Sequence, residues 1–127
     1  MRLPNFAFAL AAAGLIMPQI ALAHTRMVSS TPAANADVAA PTTIVLRFNE
    51  ALIAPTAKAE IAMTGMPGMA NHAPSPITGF TTQLAQDRKY MTLQLARPLA
   101  KGTYRVTWSA AGADTHRMNG NFSFTVK

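Results

Sequence analysis

The stretch 98-PLAKGTYRVTWSA-110 decides the fold. Apolar side chains recur at every second position, Tyr104, Val106 and Trp108, with Arg105 and Thr107 between them. A period of two belongs to a strand with one buried face, because successive side chains point to opposite sides. Pro98 and Gly102 mark a turn just before it. A tyrosine leading out of such a turn into a central strand resembles the corner tyrosine of immunoglobulin-like sandwiches.

The same alternation extends outward in both directions. In 43-TIVLRF-48 the residues Ile44, Leu46 and Phe48 share one face, and in 90-YMTLQLA-96 Met91, Leu93 and Leu95 do so. In 121-NFSFTVK-127 the inward set is Phe122, Phe124 and Val126. Weaker strands are predicted around Met27–Ser30, Lys58–Met63 and Ile77–Thr82. Turns are predicted at Thr31-Pro32, at Ala54-Pro55, from Pro98 to Gly102, and at Asn119-Gly120. About seven short strands in roughly a hundred residues predict an all-β domain, an immunoglobulin-like antiparallel β-sandwich or Greek-key barrel. There is no internal repeat and no low-complexity linker.

The first residues read differently. Arg2, the apolar run from Phe6 to Met17, and then Ala21-Leu22-Ala23 have the n-region, h-region and small-residue cleavage site of a secretory signal peptide. The expected organisation is therefore a signal over residues 1–23 and one domain over 24–127, exported to the periplasm. The apolar run is short for a membrane span, which takes about 20 residues, and the rest of the chain has no such run.

Lys and Arg number 11 against 5 Asp and Glu, a net charge of +6, and losing Arg2 leaves +5. These charges are scattered, with Arg88-Lys89 the closest pair, and no basic cluster is interleaved with aromatics. A nucleic-acid groove is not expected. The chain has no cysteine. That excludes a disulfide scaffold, thiol catalysis and thiolate metal sites, and leaves methionine thioether as the only soft ligand.

Methionine is oddly placed. The segment 63-MTGMPGMANH-72 sets Met63, Met66 and Met69 three residues apart, with His72 just beyond. Pro67 has no N–H to give a sheet, so Met66 and Met69 fall on a loop. Two readings stand. Thioethers and an imidazole suit Cu(I), and these four residues are close enough in sequence to converge on one ion. Otherwise Met63 ends a strand in the core and the others cover an apolar edge.

Cleavage after Ala23 would make His24 the first residue, with an α-amine and an imidazole that can chelate one ion together. In 112-GADTHRMNG-120, Asp114 and His116 stand two residues apart, which in extended backbone puts both on one face. Amine, two imidazoles and a carboxylate form the nitrogen/oxygen set that Cu(II) takes in tetragonal geometry. Against this, an Asp-x-His pair in a loop also serves as a surface hydrogen-bonded pair. Only the fold can bring residue 24 to residues 114 and 116.

Together these residues resemble the CopC/PcoC family of periplasmic copper-resistance proteins. The resemblance runs through 24-HTRMVSSTPA-33, 47-RFNEAL-52, the methionine loop, the G-T-Y-x-V-x-W strand and the Ala110–Gly120 segment, which is similar to the family's S-x-x-x-D-x-H-x-x-x-G. It implies a copper-binding β-sandwich that holds Cu(II) and Cu(I) at separate ends. His24, Asp114 and His116 match the Cu(II) ligands, Glu50 an auxiliary carboxylate near them, and Met63, Met66 and Met69 the Cu(I) ligands. The loop departs from the pattern in two respects: His72 follows Met69 by three residues rather than two, and 73-APSPI-77 has no further methionine. The resemblance further implies copper as the bound metal and a membrane copper transporter or multicopper oxidase as partner.

Three functions are weighed. The first is a non-enzymatic copper carrier, buffer or sequestering protein, which the sequence favours. The second is a histidine-brace copper enzyme of the oxidative type, although Asp114 would fill a position that oxygen activation needs open. The third is a metal-free immunoglobulin-like interaction module, which leaves the methionine loop unexplained.

Overall fold

The computed structural model describes residues 24–127 and the lone Gly14. Apart from that glycine, the expected signal peptide lies outside the described residues. Among the described residues nine strands form two sheets. Strands β1 (Met27–Thr31), β3 (Thr43–Phe48), β7 (Tyr90–Leu95) and β6 (Phe80–Leu84) make one, in the order β1-β3-β7-β6. The other, β2-β9-β8-β4-β5, comprises β2 (Asp37–Val38), β9 (Arg117–Val126), β8 (Gly102–Ala111), β4 (Lys58–Gly65) and β5 (Ser75–Ile77). Both sheets stay open, so the fold is a sandwich and not the barrel named as its alternative.

The alternating residues meet in the space between the sheets. Ile44, Leu46, Met91 and Leu93 from one sheet and Tyr104, Val106 and Phe124 from the other are each at most 1% exposed. Truncating an aliphatic side chain at such a position costs roughly 2–5 kcal/mol. Phe48 and Trp108 join the layers directly, edge to face at 4.9 Å between ring centroids.

The corner tyrosine is present. Tyr104 Oη donates to the Ala100 carbonyl at 2.6 Å and ties the turn to the strand it precedes. Burial pushes the phenol's pKa above its ordinary value. The folded state therefore holds the neutral phenol, and this contribution to stability is present below about pH 10 and lost as pH rises through the folded pKa. Tyr104→Phe is expected to lower unfolding stability in urea by about 1 kcal/mol at neutral pH and to remove part of the loss seen in strong alkali.

Two sequence expectations need correction. The strand expected over Ile77–Thr82 is divided at Gly79, whose φ of 77° lies in the left-handed region, so β5 and β6 join different sheets. The turn expected at Asn119-Gly120 lies inside β9, where Gly120 pairs with Trp108. That glycine serves close approach, since a Cβ there would come within 2.9 Å of the indole ring. In addition, β2 pairs with β9 in parallel, unlike the all-antiparallel sandwich expected.

Candidate metal centre

With β9 starting at Arg117, the connection from β8 shortens to residues 112–116. The Thr115 amide donates to the Gly112 carbonyl at 2.9 Å, and Thr115 takes a left-handed φ of 63°. The His116 amide donates to Asp114 Oδ1 at 3.2 Å. One carboxylate oxygen thus shapes the turn and the other is left free. Asp114 Oδ2 is buried and has no hydrogen-bond partner. It stands 3.5 Å from His24 Nδ1 and 3.4 Å from His116 Nδ1.

The fold therefore supplies the proximity that sequence spacing could not. Candidate ligand atoms of His24, Asp114 and His116 lie within 4.8 Å of one another. The carboxylate is the inner member, 18% exposed, and the imidazoles are the outer ones at 51% and 66%. A buried acceptor with no donor costs roughly 1–3 kcal/mol, and a cation between the three groups would relieve that cost. The donor set, two imidazoles and a carboxylate, fits a borderline divalent ion.

Three residues that the sequence reading passed over hold His24 in place. Asn49 clamps the chain start: its Nδ2 donates to the His24 carbonyl at 3.0 Å and its Oδ1 accepts from the Arg26 amide at 2.9 Å. The Asn49 amide also donates to the Arg26 carbonyl at 3.1 Å. Thr25 is buried, and its hydroxyl donates to Glu50 Oε1 at 2.6 Å. A Cβ on Gly112 would collide with this Glu50–Thr25 pair, so the 112–116 turn can close against the chain start only with glycine there. Glu50 lies outside the close ligand group and acts by bracing Thr25. No local pattern marks these residues, because each acts across about 25 positions or more of chain.

The methionine segment occupies the opposite pole. Strand β8 runs from one to the other over ten residues, which puts the two clusters about 30 Å apart. Met66 and Met69 exchange backbone hydrogen bonds in both directions at 2.9 Å, closing a hairpin over Pro67 and Gly68. Proline followed by a glycine at φ 82° is the signature of a type II turn. Directly opposed residues project to the same face, and these two are 44% and 54% exposed.

Met63 is placed differently. It lies within β4 and packs against the core, with its Cε beside Gly102. His72 is drawn back by its amide, which donates to the Thr64 carbonyl at 3.0 Å. Its Nδ1 lies 2.7 Å from the Ala73 carbonyl. A nitrogen facing a carbonyl oxygen acts as the donor, and in a neutral ring the lone pair is then on Nε2. That Nε2 is buried and unpartnered.

The described residues thus form a two-layer β-sandwich with a buried, unpartnered polar side-chain atom near each pole. The CopC domain family matches residues 27–127, and the chain belongs to that family. It is 45% identical over 107 residues to a "Copper resistance protein C" from Escherichia coli, covering 84% of each chain. It is 42% identical over 116 residues to a protein of the same description from Pseudomonas syringae pv. tomato, covering 91% of this chain and 90% of that one. Among solved structures it resembles PcoC, described as a methionine rich copper resistance protein from Escherichia coli. The TM-score is 0.74 at 42% identity, covering 83% of this chain and all of that one.

Proposed function

We propose that this chain is an exported copper-binding protein of copper resistance, which carries, buffers or sequesters the metal and catalyses no reaction on it. The observation that carries the proposal is Asp114 Oδ2, buried and unpartnered, facing an imidazole on either side. Family membership and the names of the relatives point the same way. Cu(II) is held by His24, Asp114 and His116, joined by the α-amine of His24 once residues 1–23 are removed in the periplasm. Glu50 supports the set through Thr25. Cu(I) is held at the other pole by Met66 and Met69, with Met63 and His72 completing the set. A membrane copper transporter or a multicopper oxidase would exchange copper with it.

The non-enzymatic reading draws on the same carboxylate, which faces both imidazoles from the inner side and takes a direction that oxygen activation needs open. Tyr104 and Trp108 are buried, so neither offers an aromatic platform to a polymeric substrate. Among the described residues no helix is long and apolar enough to cross a membrane.

The test is spectroscopic. His116→Ala removes an imidazole that no neighbour replaces, and the Cu(II) electron paramagnetic resonance spectrum should show coupling to one nitrogen fewer and change its g values. His72→Ala alters only the opposite pole and should leave that spectrum unchanged. The reverse pattern would show the two sites to be exchanged.

A further inference from the structure

The pole that carries His24, Asp114 and His116 is also where the chain's positive charge collects. Of the ten Lys and Arg among residues 24–127, six stand there: Arg26, Arg47, Lys58, Arg88, Lys89 and Arg117. All six are exposed. Backbone contacts place them: Arg26 bonds to Asn49, Lys89 to Phe48 and Arg88 to Leu52. Arg47 pairs with Tyr90, Lys58 with Ser109 and Arg117 with Ala111.

Linear sequence hides the patch, because its members come from five separate segments. Among the described residues none of the six is in an ion pair. Among the described residues the only Lys or Arg in an ion pair is Lys127, with Asp37, at the other pole. Of the carboxylates at this pole, Glu50 accepts from Thr25, Asp87 accepts from the Lys89 amide, and Asp114 belongs to the candidate centre.

A rim of unpaired cations around a cation site works against capture of the free ion, since each repels Cu(II). It favours approach of a surface carrying the opposite charge. We propose that this pole is a docking face for an acidic protein surface that exchanges copper directly with the centre. This rests on the copper reading above. A protein partner fits better than an anionic membrane, because transfer requires replacement ligands at the exposed imidazoles. A lipid surface supplies charge but no nitrogen or sulfur donors.

The experiment uses the apo protein of residues 24–127, so its outcome does not depend on copper binding. Polyglutamate and, separately, phosphatidylglycerol vesicles are titrated into isotope-labelled protein, and amide shifts and affinities are read at several salt concentrations. Two variants each remove four charges: Arg47→Gln/Lys58→Gln/Arg88→Gln/Lys89→Gln at this pole, and Arg97→Gln/Lys101→Gln/Arg105→Gln/Lys127→Gln elsewhere. The expected result is polyglutamate binding with shifts around residues 24–26, 47–50, 85–90 and 112–117. The first variant should weaken binding by about tenfold or more and flatten the salt dependence, and the second should leave it within about twofold of wild type. Free Cu(II) should bind the first variant at least as fast as wild type. Equal weakening in both variants would overturn the proposal, leaving only diffuse net charge, as would tighter binding to the vesicles than to polyglutamate. If wild type fails to bind Cu(II) in a separate titration, it is the copper reading that fails.

Discussion

A protein beginning at His24 should bind Cu(II) more than about a hundredfold more tightly than the same protein with one glycine placed before that residue. Changes one shell out from a metal already cost about 10–100-fold, and this change removes a ligand. A free α-amine has a reference pKa of about 7.7–8.0, so an ion can displace such a proton close to neutrality. A peptide N–H in the same place holds its proton far more firmly. The Asn49 clamp acts on the His24 carbonyl and the Arg26 amide, neither of which the extension alters. The fold and the imidazole position should therefore survive, and circular dichroism would verify that. Equal Cu(II) affinities for the two proteins, measured by competition with a chromophoric chelator, would remove the amine from the ligand set.

At the other pole, Met66→Leu/Met69→Leu should abolish Cu(I) binding under conditions where wild type binds stoichiometrically. Leucine keeps the apolar character and nearly the volume of methionine at two exposed positions, so stability should change little. Only the thioether is lost. Because thioethers bind without losing a proton, Cu(I) should stay bound at mildly acid pH, where the imidazole-based site releases its metal. His72→Ala should lower Cu(I) affinity only modestly. X-ray absorption on the Cu(I) form gives the direct answer: a first shell without sulfur would mean that Met66 and Met69 do no more than cover the hairpin.

Much of the architecture is legible in the sequence because burial in a sandwich imposes a period of two. Strands β3, β7 and β8 lie within one or two residues of the alternating runs, and their inward residues are the buried ones. Misreadings came where a residue type serves two purposes. Gly79 permits a left-handed backbone that sends the chain from one sheet to the other, whereas Gly120 makes room for an indole. Nothing local separates these roles, so the sequence predicts one strand across Gly79 and a turn within β9 at Gly120. Strand β2, two residues long, is too short to show any period.

The candidate site divides in the same way. His24, Asp114 and His116 could be named from residue chemistry and from a resemblance that spans the chain. Their convergence could not, because it depends on Asn49, Thr25 and Gly112 acting across the fold. The methionines show the opposite limit. Their even spacing suggested equivalent roles, yet a strand ends between them. Met63 faces the core while Met66 and Met69 oppose one another across a hairpin.

Trp108, lying over Gly120 and against Phe48, is the chain's single tryptophan. It stands four residues along the chain from Gly112, which is about 13 Å of strand, whereas the methionine hairpin lies beyond the far end of β8. The molecule therefore carries one indole fluorophore, set off-centre toward the histidine pole. On the proposed assignment, paramagnetic Cu(II) at that pole would fall within quenching range of the indole, and Cu(I), with a filled d shell, at the remote hairpin would not. The emission of one native residue would then report Cu(II) arriving and leaving and would stay silent to Cu(I), without a label attached to either pole.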